Sequence, residues 1–130
     1  MAHPNEEMLR NAYAAFAHGD LDGYLSNCTD DITFHVPGRN QVAGDYSREQ
    51  SGPGLISKVM QLTNGTFRQT IDDVIANETR GCVLATHEFD RGSEHLNYQT
   101  AHIYRINNGR LGEFLEYPAD LHQFDKAWAK

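Results

Sequence analysis

Beyond Asn64-Gly65 the chain holds four β-rich runs with no helical stretch between them. Residues 66–76 break at 77–81, and 82–89 turn at Asp90-Arg91-Gly92-Ser93. Residues 96–106 turn at Asn107-Asn108-Gly109, and 111–117 stop at Pro118. Strands joined by turns this short pair antiparallel, because a parallel crossover needs about a dozen residues or more. The first half reads differently. Met8, Leu9, Ala12, Ala15 and Phe16 keep helical spacing, with Glu6 and Glu7 where the helix dipole favours acids. Gly19 ends that helix. Asp20 caps a second one through Leu21, Tyr24 and Leu25. Residues 32–36 alternate as a strand that Pro37-Gly38 stops. Ser47 with Gln50 has the form of a capping box, but Gly52-Pro53-Gly54 interrupts it, so a third helix is expected from Pro53 to Leu62. Asp120 caps a last helix carrying Leu121, Phe124 and Trp128. Helices first and hairpin-linked strands afterwards make an α+β fold rather than an alternating parallel one.

At 130 residues, one domain over 1–130 is expected. The net charge is -7, with no run of Lys or Arg. Nucleic acid and membrane are therefore not expected as partners, since phosphate binding needs clustered positive charge. Cys28 and Cys82 form no CxxC pair and read as free thiols in a reducing, cytoplasmic setting. The first residues have no basic and apolar leader pattern.

Turn geometry sets which side chains share a face. If Asn107-Asn108-Gly109 is a three-residue loop with a glycine bulge, Ile106 opposes Arg110, His102 opposes Phe114 and Thr100 opposes Glu116. A two-residue Asn108-Gly109 loop would instead pair Ile106 with Leu111 and put His102 with Leu115. The bulged form is favoured because Gly109 supplies a left-handed residue. With Arg91-Gly92 as the tip of the preceding hairpin, His87 opposes Leu96 and Ala85 opposes Tyr98. Alternation then gives one face made of Val83, Ala85, His87, Leu96, Tyr98, Thr100, His102, Tyr104, Phe114 and Glu116. Such an apolar wall with a few polar groups has the composition of a ligand pocket. Glu88, Asn97, Gln99 and Arg105 fall on the other, solvent-like face. In the first strand Ile32, Phe34 and Val36 are the apolar side, so His35 faces the pocket only if a bulge before Pro37 turns it inward.

Four stretches resemble a known family in order and spacing. They are Ala14-Ala-Phe-Ala-His-Gly-Asp-Leu-Asp-Gly23, Asp30-Asp-Ile-Thr-Phe-His-Val-Pro-Gly38, His87-Glu-Phe-Asp-Arg-Gly92, and His102-Ile-Tyr-Arg-Ile-Asn-Asn-Gly-Arg-Leu111 with Glu116. Together they resemble the nuclear-transport-factor-2-like superfamily, and within it the SnoaL-like and ketosteroid-isomerase-related proteins. The resemblance implies a cone-shaped, curved, mixed or antiparallel sheet wrapped around N-terminal helices and enclosing an apolar pocket. It also implies a homodimer. Members range from isomerases, cyclases, dehydratases and epoxide hydrolases to non-catalytic binding modules, so function has to be argued from the site.

The ketosteroid isomerase groups are absent here. The positions that resemble its base, tyrosine and acid hold Val36, Ala12 (beside Tyr13) and His102. The remaining chemistry centres on His102, a general base or acid near neutral pH, with Glu116 and His87 as its partners. Tyr13, Phe34, His35, Tyr98, Thr100, Tyr104 and Phe114 are the candidate ligand-binding residues. No phosphate loop, dinucleotide fingerprint, heme motif or zinc spacing appears, so neither cofactor nor metal is expected. Two readings remain: cofactor-free acid–base catalysis on a small, largely apolar molecule, or a non-catalytic ligand-binding or protein-interaction module.

Overall fold

In a computed structural model, which describes residues 2–130, the first helix, α1 (Pro4–Ala17), starts on a capping box between His3 and Glu6. α2 (Leu21–Leu25) follows, capped by the Asp20 side chain. Strands β1 (Cys28–Val36) and β2 (Gly44–Ser47) form an antiparallel pair. β2 is a short strand in what the sequence presents as loop.

The third helical region departs from expectation. The Ser47–Gln50 capping box is real and starts α3 (Arg48–Gln50). Gly52-Pro53-Gly54 does not break the helix; the turn widens into a π-helical stretch, Ser51–Ile56, which runs on into α4 (Ser57–Leu62). A π turn shifts hydrogen bonding by one residue and so accommodates what an α turn rejects. Buried Ser51 and Leu55 face the interior from this stretch.

Four strands then follow as the turn signals require: β3 (Arg68–Ala76), β4 (Arg80–Arg91), β5 (Glu94–Asn107) and β6 (Arg110–Pro118). The six-stranded mixed sheet has the order β2-β1-β6-β5-β4-β3, antiparallel except where β1 meets β6. It is open, with β2 and β3 at its edges. α5 (Leu121–Ala127), capped by Asp120, closes one end.

Both hairpin registers differ from those read in the sequence. The β4–β5 tip is Gly92-Ser93, with Gly92 at φ 63°, so His87 opposes Tyr98 and Ala85 opposes Thr100. The shift is two residues, which leaves every side chain on its expected face because strand alternation has period two. The β5–β6 turn is the tight one: Asn108 and Gly109 sit at φ 50° and 79°, as a type I′ turn requires. Ile106 accordingly opposes Leu111. The extra residue comes later, at Gly112, so Arg105 opposes Glu113, Tyr104 opposes Phe114 and His102 opposes Glu116. The bulge exists, displaced down the strand, and it restores the expected face.

α1 packs on the sheet with Leu9 fully buried. At Gly81 on β4 a β-carbon would meet Leu9 Cδ1 at 2.7 Å, so glycine lets helix and strand come close there. Asn5 ties the start of α1 to the β3–β4 turn by donating to the Asn77 carbonyl at 3.0 Å. The outer face holds two transverse rows that are apolar over several strands: Ile75–Cys82–Ile103–Leu115 and Leu84–Ala101–Tyr117. Ile75 and Tyr117 are more than half exposed. Among the described residues, no helix is long and apolar enough to cross a membrane.

Candidate functional site

Between the inner face and the helices lies a cavity of about 100 Å³. It is smaller than the engineered cavity of roughly 150 Å³ that holds benzene, so as it stands it has room for a small apolar group. Its walls are mainly aromatic and aliphatic. Eight of the ten candidate residues line it: Tyr13, Phe34, His87, Tyr98, His102, Tyr104, Phe114 and Glu116. Thr100 is buried behind them and reaches the site through Glu116. His35 is placed elsewhere. The register of β1 shifts between Cys28 and Thr33 but runs unbroken from Thr33 to Val36, so alternation carries His35 to the outer side, where it bonds Asp45 at 2.7 Å and Glu113 at 3.2 Å. The Asp45 bond, ahead of the Glu113 one, raises its pKa.

The polar groups form two chains. In the first, Tyr24 Oη meets Tyr104 Oη at 2.7 Å, and Tyr104 Oη meets Tyr13 Oη at 2.6 Å. Tyr13 Oη meets His102 Nδ1 at 2.7 Å, and His102 Nε2 meets Glu116 Oε2 at 3.1 Å. Thr100 donates to the same carboxylate oxygen at 2.6 Å. Burial alone would raise the Glu116 pKa, but the attraction and hydrogen bond of His102, with His87 and Thr100 adding to them, hold it down to about 2. Burial pushes all three tyrosines of the chain well above their ordinary value, so each keeps its proton.

Donor counting gives this chain two complete arrangements. With His102 neutral, Nε2–H donates to Glu116 and Nδ1 accepts from Tyr13. Tyr13 then accepts from Tyr104, and Tyr104 from Tyr24. With His102 an imidazolium, both ring nitrogens donate. The tyrosine O–H groups can then run the other way, ending on Tyr24, which lines the cavity.

In the second chain Trp128 Nε1–H donates to Tyr98 Oη at 2.9 Å, leaving the Tyr98 O–H for His87 Nδ1 at 2.9 Å. His87 Nε2–H then donates to Gln69 Oε1 at 2.7 Å. This order needs a neutral imidazole. Burial lowers the His87 pKa to about 3, against the pull of Glu116, so the ring is uncharged at neutral pH.

His87, His102 and Glu116 bring possible metal-ligand atoms within 4.8 Å of one another. These residue types would suit a divalent cation. Each ring nitrogen, however, is already engaged by Tyr98, Gln69, Tyr13 or Glu116. The thiols stand apart from this chemistry: both are free, and burial pushes Cys28 up to about 12.

Sequence reasoning missed Tyr24, Gln69 and Trp128. Tyr24 lay in the apolar stripe of α2, and its hydroxyl, which needs a partner once buried, was the available signal. Nothing distinguished Gln69 within its strand. Trp128 was placed on the last helix, with no hint of its bond to Tyr98. The absent isomerase groups also find an explanation: Ala12 is buried in the core, and its neighbour Tyr13 supplies the cavity hydroxyl.

Residues 9–114 match the SnoaL-like domain family. The chain is 27% identical over 125 residues to an uncharacterised protein of Mycobacterium tuberculosis, a match spanning 95% of each chain. Among solved structures it is similar to Bal32a from a soil-derived mobile gene cassette, with 26% identity, a TM-score of 0.88 and 98% of each chain covered. A Xanthomonas campestris protein of unknown function with a cystatin-like fold superimposes over 100% of each chain, at 24% identity and a TM-score of 0.85. The family match covers most of the chain, and the open mixed sheet over helices agrees with the cystatin-like fold of that neighbour: this protein belongs to the SnoaL-like family.

Proposed function

We propose that the cavity binds a small, largely apolar molecule and performs acid–base chemistry on it without a cofactor. The observation that supports this most is the Tyr24–Tyr104–Tyr13–His102–Glu116 chain, set in an otherwise apolar cavity. A proton taken from the ligand at the tyrosine end is accepted at the histidine end and held as imidazolium beside the Glu116 carboxylate. Delivery reverses the path. Isomerisation, cyclisation, dehydration and epoxide opening all need one proton removed and one supplied, and a low-dielectric site strengthens such bonds.

A non-catalytic carrier is the second reading. It is favoured by one observation: among the described residues, every buried side-chain N or O already has a hydrogen-bond partner. 4-Nitrophenol separates the two, because its phenolate absorbs in the visible. On the catalytic reading, bound 4-nitrophenol exchanges its proton with the chain and ionises at a different pH from the free compound, and Tyr13→Phe abolishes that difference. Binding with an unchanged ionisation profile supports the carrier. Failure to bind any small phenol refutes the cavity as a ligand site.

A second copy of the chain belongs to the same proposal. The two apolar rows on the outer face of the sheet leave Ile75, Leu84 and Tyr117 exposed, and a copy packed sheet to sheet would cover them.

A further inference from the structure

With His102 neutral, two hydroxyls of the cavity give a hydrogen bond and receive none. Tyr98 receives from Trp128 and gives to His87. Tyr13 receives from Tyr104 and gives to His102, and Tyr104 receives from Tyr24. Tyr24 heads that chain: it gives to Tyr104 and, among the described residues, receives from nothing. Ser51, only 3% exposed, gives to the Arg48 carbonyl at 2.7 Å and likewise receives from nothing. Both residues line the cavity, and they belong to neighbouring elements. A β-carbon at Gly52, next to Ser51, would meet Leu21 Cδ2 at 3.0 Å, and Leu21 lies on α2 with Tyr24.

An acceptor left open in an apolar space selects a ligand that donates. We infer that the ligand is a small hydroxyl compound, an alcohol or a phenol, whose O–H docks on Tyr24 Oη. This rests on the cavity being a ligand site, and it names the substrate class. A hydroxyl also suits both arrangements of the chain. When the ligand O–H bond breaks, its proton forms a new O–H bond at Tyr24. The Tyr24 proton moves to Tyr104, that of Tyr104 to Tyr13, and that of Tyr13 to His102 Nδ1. The products are a ligand oxyanion and an imidazolium, so charge is conserved, and the Tyr24 O–H now donates to the oxyanion. A ketone only accepts, and it matches Tyr24 only when His102 already carries the proton.

The other titratable groups around this chain hold one state near neutral pH. Burial keeps the protons on Tyr13, Tyr24, Tyr98, Tyr104 and Cys28. His87 and Glu116 titrate far lower, at about 3 and about 2. The arginines beside Cys28, Arg48 and Arg110, do not titrate. The proton on His102 therefore decides which way the chain points.

Cyclobutanol and cyclobutanone are both smaller than benzene and differ in whether the oxygen can donate, so NMR titration with each reads the inference. In Tyr104→Phe the Tyr24 hydroxyl is cut off from His102 and free to turn either way, and differences in hydration between the two compounds cancel against this variant. With the His102 ring neutral by its own resonances, the alcohol-to-ketone affinity ratio is expected to be about 5-fold higher in the wild type than in the variant, the worth of one hydrogen bond. Within the wild type the ratio should fall in step with protonation of that ring. An equal ratio in the two proteins overturns the inference, as does a wild-type ratio that ignores the state of the ring, or binding of neither compound. So does a His102 ring that stays charged up to about pH 9. Equal ratios refute the hydroxyl class alone and leave the acid–base reading standing. An unshifted 4-nitrophenol profile does the reverse.

Discussion

His87 is buried, neutral and fully hydrogen-bonded, and that combination makes the fold sensitive to acid in a measurable way. Its pKa is about 3 in the folded protein, against 6.5 for the free side chain. The folded value is depressed, so the unfolded chain binds a proton at a pH where the folded one does not. The stabilisation is complete above the unfolded value and is lost as pH falls from there toward the folded value. Between about pH 7 and about pH 5 this one group costs the folded state roughly 2 kcal/mol by linkage. His35 and His95, whose pKa values are raised by Asp45 and by Asp90 with Glu88, work in the opposite direction over the same range. The raw stability curve therefore mixes signs. His87→Gln isolates the effect: glutamine can bond Tyr98 and Gln69 yet cannot titrate, and the exposed histidines cancel in the difference. Urea unfolding of both proteins at the two pH values is the assay. The wild type should lose about 2 kcal/mol more than the variant on acidification. Ring resonances of His87 in the wild type should also stay neutral across that range. A difference that is flat to within about 0.5 kcal/mol, or a His87 ring that protonates near its ordinary value, refutes the argument that burial holds it neutral.

Tyr104→Phe removes the hydroxyl that joins Tyr24 to Tyr13 and leaves Tyr24 Oη buried without its partner; urea unfolding should show a loss of about 1–3 kcal/mol, and a loss below about 0.5 kcal/mol would mean that the hydroxyls find other partners. Ile103→Glu puts a charge in the middle of an outer apolar row. Sedimentation of the wild type should give a dimer and of the variant a monomer with unchanged circular dichroism, whereas a monomeric wild type removes the case for a sheet-to-sheet copy.

Much of the fold was legible because its signals are local. Asp20 and Asp120 cap helices from the positions where their side chains can only do that. Asn108-Gly109 marks a hairpin because both residues tolerate positive φ. The face carrying His87, Tyr98, His102, Tyr104, Phe114 and Glu116 was legible because strand alternation survives any slip of two residues. The π-helical stretch was not, since Gly52-Pro53-Gly54 signals a break and only the packing of Ser51 and Leu55 against the interior shows that the helix continues. Nor were the two proton chains. A tyrosine in an apolar stripe looks the same whether its hydroxyl meets water or another tyrosine from 80 residues away.

The position of Gly112 shows how narrow that legibility was. The tight Asn108-Gly109 turn by itself pairs Ile106 with Leu111, and continued without a bulge it would send Phe114 and Glu116 to the outer face. One extra residue corrects this, and Gly112 is where it is placed, buried and with a Cβ position only 2.7 Å from Asn107 Nδ2. Deleting Gly112 tests this count through a residue that belongs to the bulge alone. With it gone, Leu111 still opposes Ile106, Glu113 follows directly opposite Arg105, and Phe114 and Glu116 still oppose Tyr104 and His102. The deletion variant should therefore melt cooperatively and keep the carboxylate beside His102, 3.1 Å away in the wild type. If it fails to fold, or if Glu116 leaves His102, the inward face of β6 depends on the local twist that the bulge gives the strand and not on the residue count alone.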